Sequence, residues 1–302
     1  VIISVASGKG GTGKTTVALA LAVYLAQKEI PLGIFDCDVE EPNVNLFLQS
    51  EIKVIETVYV PVPYIHESAC NGCGACADIC AFSALVMVKG KPLLFPEMCH
   101  ACGGCMLVCP EKAITYERKE IGIVEEGYRD HIRYVGGKLR ISEPISPPLI
   151  EAVKKHLSDS DINILDVPPG TSCPVIEAVK GSDYIILVTE PTPFGLYDLK
   201  LAVEMVREIR RYQRLLGKSS RSLYGVSCGV VINRCDIGDS QVSDYCQREG
   251  ITVIASIPDS RELAERYSHG DFVDYFIEQY PDQLESIISH IPVSLSQGEI
   301  SS

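Results

Sequence analysis

Val1-Ile2-Ile3-Ser4-Val5-Ala6, followed by Ser7-Gly8-Lys9-Gly10-Gly11-Thr12-Gly13-Lys14-Thr15-Thr16 and an apolar run through Val17, Ala18, Leu19, Leu21, Ala22, Val23 and Leu25, reads as strand, glycine-rich turn, helix. The turn fits G-x-x-x-x-G-K-[ST] over Gly8–Thr15. Its glycines let successive backbone N–H groups turn inward around an anion, and the helix N-terminus adds positive potential there. Such a loop cradles the phosphates of a nucleotide. Lys14 would reach the β- and γ-phosphates, and the Thr15 hydroxyl would ligate Mg²⁺. The expected phosphate-binding set is Gly8, Lys9, Gly10, Gly11, Thr12, Gly13, Lys14, Thr15 and Thr16.

Working outward, a second buried-strand run, Leu32–Phe35, ends in Asp36-Cys37-Asp38, and further short apolar runs lie at Ile162–Leu165, Tyr184–Val188, Val226–Ile232 and Thr252–Ile257. Segments of helical period, such as Leu149–Leu157 and Leu196–Leu216, separate them. Strands alternating with helices predict an α/β fold, a mostly parallel sheet with helices on both faces. Asp38 falls just after the second strand, where a carboxylate can hold or polarise the attacking water. Asp166 ends an apolar strand, where a carboxylate approaches Mg²⁺ directly or through water. The expected catalytic group is Lys9, Lys14 and Asp38, with Thr15, Asp38 and Asp166 around the magnesium.

The alternation breaks once, between about Pro61 and Arg118, and eight of the 13 cysteines lie in that stretch. Cys70, Cys73, Cys76 and Cys80 recur 29 residues later as Cys99, Cys102, Cys105 and Cys109, and the tails Ala81–Leu85 and Pro110–Ile114 align as well. A repeat of this kind implies a small, internally symmetric domain set into the larger one. The predicted organisation is residues 1–60 and 119–302 as two parts of one nucleotide-binding domain, with 61–118 inserted between them. After the insertion, short runs with Gly between Glu120 and Arg140 suggest an antiparallel hairpin returning to the main sheet. The polar tail from Ile291 onward is expected to fray.

Composition narrows the function further. The chain has 302 residues, 46% of them apolar and 22% charged, which is ordinary globular usage. A formal charge of −13 argues against duplex nucleic acid or a membrane surface of anionic lipid as the main partner. No run of 18 apolar residues occurs, and residues 1–6 lack the basic region and cleavage pattern of a signal peptide, so a cytoplasmic protein is expected.

Lys9-Gly10-Gly11-Thr12-Gly13-Lys14-Thr15, Asp36-Cys37-Asp38 and Asp166-Val167-Pro168-Pro169-Gly170 together resemble the deviant Walker A P-loop ATPases of the MinD superfamily, which includes ParA, the Mrp-type Fe–S carriers and the nitrogenase iron protein. The resemblance covers nearly all of the chain outside the insertion. It implies that the lysine at position 9 crosses a homodimer interface to the nucleotide of the other subunit. It also implies that Pro168-Pro169-Gly170 is a segment responsive to the γ-phosphate. Asn233-Arg234-Cys235-Asp236 superficially resembles a guanine reader, but in this family the Asn serves adenine. Asn233, Arg234, Pro258 and Asp259 are therefore the expected base-binding residues, and ATP the expected nucleotide.

The insertion, with C-x₂-C-x₂-C-x₃-C twice, is similar to bacterial ferredoxins that hold two [4Fe–4S] clusters. Zinc ribbons use C-x₂-C pairs without a third cysteine at this spacing. In the ferredoxin pattern the fourth cysteine of each run serves the other cluster. That implies Cys70, Cys73, Cys76 and Cys109 around one cluster, and Cys99, Cys102, Cys105 and Cys80 around the second. Ala81 stands where the pattern has the proline that Pro110 supplies in the other copy. The fold expected for this part is a small α+β bacterial-ferredoxin-like domain.

The resemblances imply a Mg-dependent ATPase that gates low-potential electron transfer through two [4Fe–4S] clusters to a partner protein. The alternative they imply is an ATP-dependent maturation factor for Fe–S or other metal cofactors. Against a simple carrier, the C-x₂-C pair near the end of Mrp-type proteins has no counterpart here. Cys173 lies seven residues after Asp166, an offset at which the nitrogenase iron protein bridges a cluster between subunits. Whether Cys173, with or without Cys37, does so here stays open on sequence. Cys228, Cys235 and Cys246 read as core thiols.

Overall fold

A computed structural model describes residues 1–159, 161–215 and 227–292. The polar tail from residue 293, the residue at position 216 that ended one expected helix and the one at 226 that began one expected strand lie outside the described residues.

The first half of the chain runs β1 (Ile2–Ala6), α1 (Lys14–Gln27), β2 (Leu32–Asp36), α2 (Val44–Leu48), β3 (Lys53–Ile65), α3 (Ala75–Asp78), β4 (Leu85–Val88), β5 (Lys91–Leu94), α4 (Gly104–Leu107), β6 (Ile114–Arg129) and β7 (Ile132–Leu139). The second half alternates: α5 (Pro147–Lys154), β8 (Ile162–Asp166), α6 (Cys173–Val179), β9 (Tyr184–Thr189), α7 (Pro193–Leu215), β10 (Ser227–Asn233), α8 (Gln241–Glu249), β11 (Thr252–Ile257), α9 (Arg261–His269), α10 (Phe272–Gln279) and α11 (Pro281–His290).

Nine strands form one sheet in the order β11-β10-β9-β1-β8-β2-β7-β6-β3. From β11 to β7 every pairing is parallel; β6 runs antiparallel to both β7 and β3. The central strands β2, β8 and β9 are buried along their whole length, as strands covered on both faces must be. Two apolar cores result, one per face. Phe272, Phe276 and Leu284 of α10 and α11 pack with α1 on one side. Leu149, Val175, Val203 and Val242 of α5–α8 pack on the other. The helix α1 is sandwiched, which explains why its sequence is apolar almost all round.

The expected hairpin after the insertion is present as β6 and β7, paired between Gly122 and Leu139 and so within Glu120–Arg140; β6 itself begins earlier, at Ile114, where it pairs with β3. β3 was not visible in the sequence as a strand. Lys53–Ile65 carries Pro61 and Pro63, which an edge strand tolerates because one row of its N–H groups needs no partner. β3 and β6 run as one ribbon from the sheet into the cysteine-rich stretch. Pro61 and Arg118, the expected limits of the insertion, face each other across that ribbon.

Within the insertion the repeat is visible in three dimensions. The one-turn helices α3 and α4 start 29 residues apart, each behind a left-handed glycine, Gly74 (φ 82°) and Gly103 (φ 81°). His66 N–H donates to Ala113 O at 2.8 Å, and its repeat partner Phe95 N–H donates to Ala84 O at 2.8 Å. β4 and β5 pair antiparallel as a separate hairpin. The apolar core of this part is small, Cys76, Leu85 and Ile114 with neighbouring thiols.

Candidate functional sites

Six parallel strands deliver the expected nucleotide residues to one end of the sheet, since the loops after β1, β2, β8, β9, β10 and β11 all leave from carboxyl ends. Order reversal on either side of β1 opens a crevice there. The crevice is lined by Gly10, Gly11, Gly13, Lys14, Thr15 and Thr16 of the loop, by Asp38, by Pro169, and by Asn233, Arg234, Pro258 and Asp259. These residues come from positions more than 200 apart in sequence. Gly13 has φ +93°, and a Cβ there would lie 2.5 Å from the Asn233 amide nitrogen, so only glycine fits the turn into α1.

The Thr15 hydroxyl donates to Asp166 Oδ2 at 2.6 Å, and Asp166 Oδ1 is buried without a partner. Thr12 Oγ1 is likewise buried and unpartnered. A Mg²⁺ with its waters, and a phosphate, would supply what these oxygens lack. Lys14 is buried among them. Burial holds Asp166 above the usual carboxylate range, against the pull of Lys14 and of the Thr15 hydrogen bond. Burial also pushes Asp38 up to about 6, with Lys14 lowering it and Glu41 and Glu40 raising it. Asp36, fully buried, accepts from the backbone N–H groups of Asp38, Asn43 and Val44 at 3.1, 2.9 and 3.0 Å and so shapes the loop that presents Asp38. Burial and the nearby Asp166 raise its pKa well above normal.

Gly8, Lys9, Thr12 and Asp166 do not line the crevice. Lys9 turns back along its own chain, Nζ 3.0 Å from Glu190 Oε2 with its side chain one-third exposed. Glu190, buried just beyond β9, also accepts from Arg234 Nη1 at 2.8 Å, and Arg234 Nε lies 3.3 Å from Asp259. Sequence reading passed over Glu190. An acidic residue directly after a buried strand, beside the carboxyl ends that carry the site, was the available signal. Asn233 is at the crevice, but its amide donates to Thr12 O at 2.9 Å and its oxygen accepts from Arg234 N–H at 3.0 Å. It fastens the phosphate loop to β10 in this state. Tyr267 and Leu263 of α9 complete the wall, and no motif marked them.

The cysteines form two further cavities. One is lined by Cys70, Cys73, Cys76 and Cys109, the other by Cys80, Cys99, Cys102 and Cys105. The fourth thiol of each run thus faces the other run's cavity. A shift of 29 residues carries much of one lining onto the other: Gly74 onto Gly103, Met87 onto Tyr116, Glu111 back onto Phe82 and Pro92 back onto Pro63. Among the described residues, no three His, Cys, Asp or Glu side chains close on one point as around a single ion. Four thiols spread around a cavity suit a group bound at its corners. Tyr116 Oη is buried without a partner at the second cavity. Burial, then Cys105, Cys102 and Cys99, raises its pKa, so the phenol keeps its proton. An orphaned donor beside four thiols fits a group rich in sulfur acceptors.

Of the remaining thiols, Cys37 is fully buried and held protonated by that burial. Cys246 is buried, with Cys228 and Cys235 packed against the same core. Cys173 is exposed at the start of α6.

A family model for the CobQ/CobB/MinD/ParA nucleotide-binding domain matches residues 3–273. The chain belongs to that family. It is a P-loop ATPase whose sheet, crevice and phosphate loop follow the family plan. Among relatives, the uncharacterized protein MJ0578 of Methanocaldococcus jannaschii is 37% identical over 205 residues, covering 67% of this chain and 72% of its own. The iron-sulfur cluster carrier protein of Aquifex aeolicus is 25% identical over 281 residues, 89% of this chain and 60% of the carrier. Among solved structures, the septum site-determining protein MinD of Pyrococcus horikoshii, complexed with Mg-ADP, superposes with a TM-score of 0.51 at 19% identity, covering 95% of each chain. A nucleotide-binding protein of Archaeoglobus fulgidus in complex with ADP gives 0.52 at 17% identity, over 97% of this chain and 92% of its own. These likenesses support the MinD-like fold. No helix among the described residues is long and apolar enough to cross a membrane.

Proposed function

We propose that this ATPase is an iron–sulfur protein in which the nucleotide state of the P-loop half governs low-potential electron exchange by two [4Fe–4S] clusters held in the insertion, the acceptor being a partner protein. The observation that carries it is the sorting of eight cysteines into two cavities of four, each completed by the fourth cysteine of the other run. When bound, such clusters supply one-electron exchange. Cys70, Cys73, Cys76 and Cys109 would hold one, and Cys99, Cys102, Cys105 and Cys80 the other.

At the crevice, the loop N–H groups and Lys14 would bind the β- and γ-phosphates, and Thr15 with Asp166 would hold Mg²⁺ directly or through water. Asp38 would orient the attacking water. Pro258 and Asp259 would flank the base, with Asn233 and Arg234 behind them. Lys9 would leave Glu190 and reach the nucleotide of a second copy, so the active unit would be a homodimer. The lysine's partial exposure and its attachment through a single ion pair support that exchange.

A second reading, an ATP-dependent factor that carries or assembles Fe–S clusters, is favoured by the relatives named as cluster carriers. An anaerobic redox titration followed by electron paramagnetic resonance separates the two. It is run without nucleotide, with MgADP and with a non-hydrolysable MgATP analogue. A nucleotide-dependent shift of about 59 mV, tenfold for a one-electron couple, is the result expected of gating. Identical potentials in all three states would overturn gating and leave the carrier reading.

A further inference from the structure

The sequence repeat makes the two cysteine cavities near-copies, so the places where their linings differ are informative. Two such places stand out. Tyr116 at the second cavity corresponds to Met87 at the first, and Phe82 at the second corresponds to Glu111 at the first. The first difference exchanges a hydroxyl donor for a thioether, which donates nothing. The second exchanges an apolar ring for a carboxylate.

The hydroxyl is placed for a purpose the protein alone does not meet. Tyr116 Oη has no hydrogen-bond partner although it is buried. A buried phenol left so is destabilising unless something at the site accepts from it. A Cβ at Gly103 would lie 3.1 Å from this oxygen, so the glycine makes room for the hydroxyl against the loop that carries Cys102. The corresponding Gly74 faces only the Met87 side chain, at 3.7 Å. Asn71 and His100 occupy equivalent places in the two linings. Asn71 of the first cavity donates to Glu111 at 2.9 Å and accepts from Cys73 N–H at 3.0 Å, while His100 of the second stacks on Phe82 with ring centres 3.7 Å apart.

We propose that Tyr116 donates a hydrogen bond to a sulfur of the group held by Cys80, Cys99, Cys102 and Cys105, and that this makes the two sites unequal, the second being the more readily reduced. The inference rests on the two-cluster reading above and deepens it. An added electron makes the bound group more negative. A donor aimed at its sulfur stabilises that state, and the Glu111 carboxylate beside the first site opposes it there. Both differences act in one direction. The electron would reside at the second site, which fixes the order in which the pair fills.

The test uses the full chain purified without oxygen, in wild-type form and as Tyr116→Phe, which removes only the hydroxyl. Iron and acid-labile sulfide are measured first, then each protein is titrated with dithionite and read by electron paramagnetic resonance. Expected are about eight irons per chain in both, two resolved midpoints in the wild type, and in Tyr116→Phe a fall of the higher midpoint with the lower unmoved. The fall should be about tenfold in the reduction equilibrium, 59 mV for one electron. Met87→Leu should move neither wave. Full iron with coincident wild-type midpoints, or with the higher midpoint unmoved by Tyr116→Phe, overturns the inference and leaves the two-cluster reading standing. Wild-type protein that holds no [4Fe–4S] signal overturns that reading, and the inference with it.

Discussion

Replacing Asp38 with Asn should make the nucleotide-free protein more stable at neutral pH while removing its turnover. Asp38 is partly buried, and its carboxyl is raised to about 6 from 3.8, first by burial and then by Glu41 and Glu40, with Lys14 opposing. The native state therefore holds this proton more tightly than the unfolded chain does. The stability from that preference is complete below pH 3.8 and is lost as pH rises through about 6. A shift of about two units is worth about 3 kcal/mol as a ceiling, and solvent reaching the carboxyl from the crevice brings the expectation to about 1–2 kcal/mol. In a chain of this size that is about 2–6 °C in midpoint. Asn has nearly the same shape and no charge to bury. Thermal unfolding of both proteins, anaerobic and without nucleotide, should give a gap near zero at pH 4 that opens through pH 6 and is flat by pH 7.5. ATP turnover by the variant should fall at least about a hundredfold. A wild type that is the more stable protein at pH 7.5, or a gap independent of pH, would refute the electrostatic account of the site.

Two other perturbations bear on the same crevice. Thr15→Val removes the donor to Asp166 Oδ2 while Oδ1 already lacks one, leaving a buried carboxyl without a hydrogen-bond partner and only the Lys14 charge nearby. It should cost about 1–3 kcal/mol in denaturant unfolding, and calorimetry should find nucleotide affinity no longer dependent on Mg²⁺. Retained magnesium dependence would count against Thr15 as a ligand. Glu190→Gln removes the charge that holds Lys9, a pair whose lysine is one-third exposed. The discounted gain is about 0.5–1 kcal/mol per subunit and about 1–2 kcal/mol for a dimer that frees two lysines, so sedimentation should show dimers forming at about five- to thirtyfold lower protein concentration with a non-hydrolysable ATP analogue. Unchanged or weaker association would sink the idea that Glu190 restrains the lysine.

The features legible in sequence are those whose signal is local. The phosphate loop is contiguous, and the central strands announce themselves as apolar runs because both of their faces are covered. Asp38 and Asp166 stand at strand ends, as the sequence placed them. The cysteine spacing repeats, and the resemblance to two-cluster ferredoxins implied the crossed sorting of thiols that the two cavities show. What stayed hidden depends on strand order. Lys9, Glu190 and Arg234 meet because β1 and β9 are neighbours and β10 lies beside β9, a fact no window of sequence contains. Asn233 pointed to the right loop, yet sequence could not say that its amide would be taken by Thr12. Lys53–Ile65 was missed because Pro61 and Pro63 argue against a strand, although an edge strand tolerates them. Tyr116 looks like any strand tyrosine until its cavity is known.

The facing of Pro61 and Arg118 across the β3–β6 ribbon bears on how such a protein arises. Pairing carries on from there to Ile65 and Ile114, and everything between those two residues is topologically the loop of a hairpin. A loop can lengthen from a few residues to a folded module without rethreading any strand, and the entropic penalty of closing it grows only logarithmically with its length. A module gained or shed there leaves the strand order of the ATPase untouched. Descent of the two parts can then be independent, each shaped by its own repeats and losses, joined by a pair of strands that serves both.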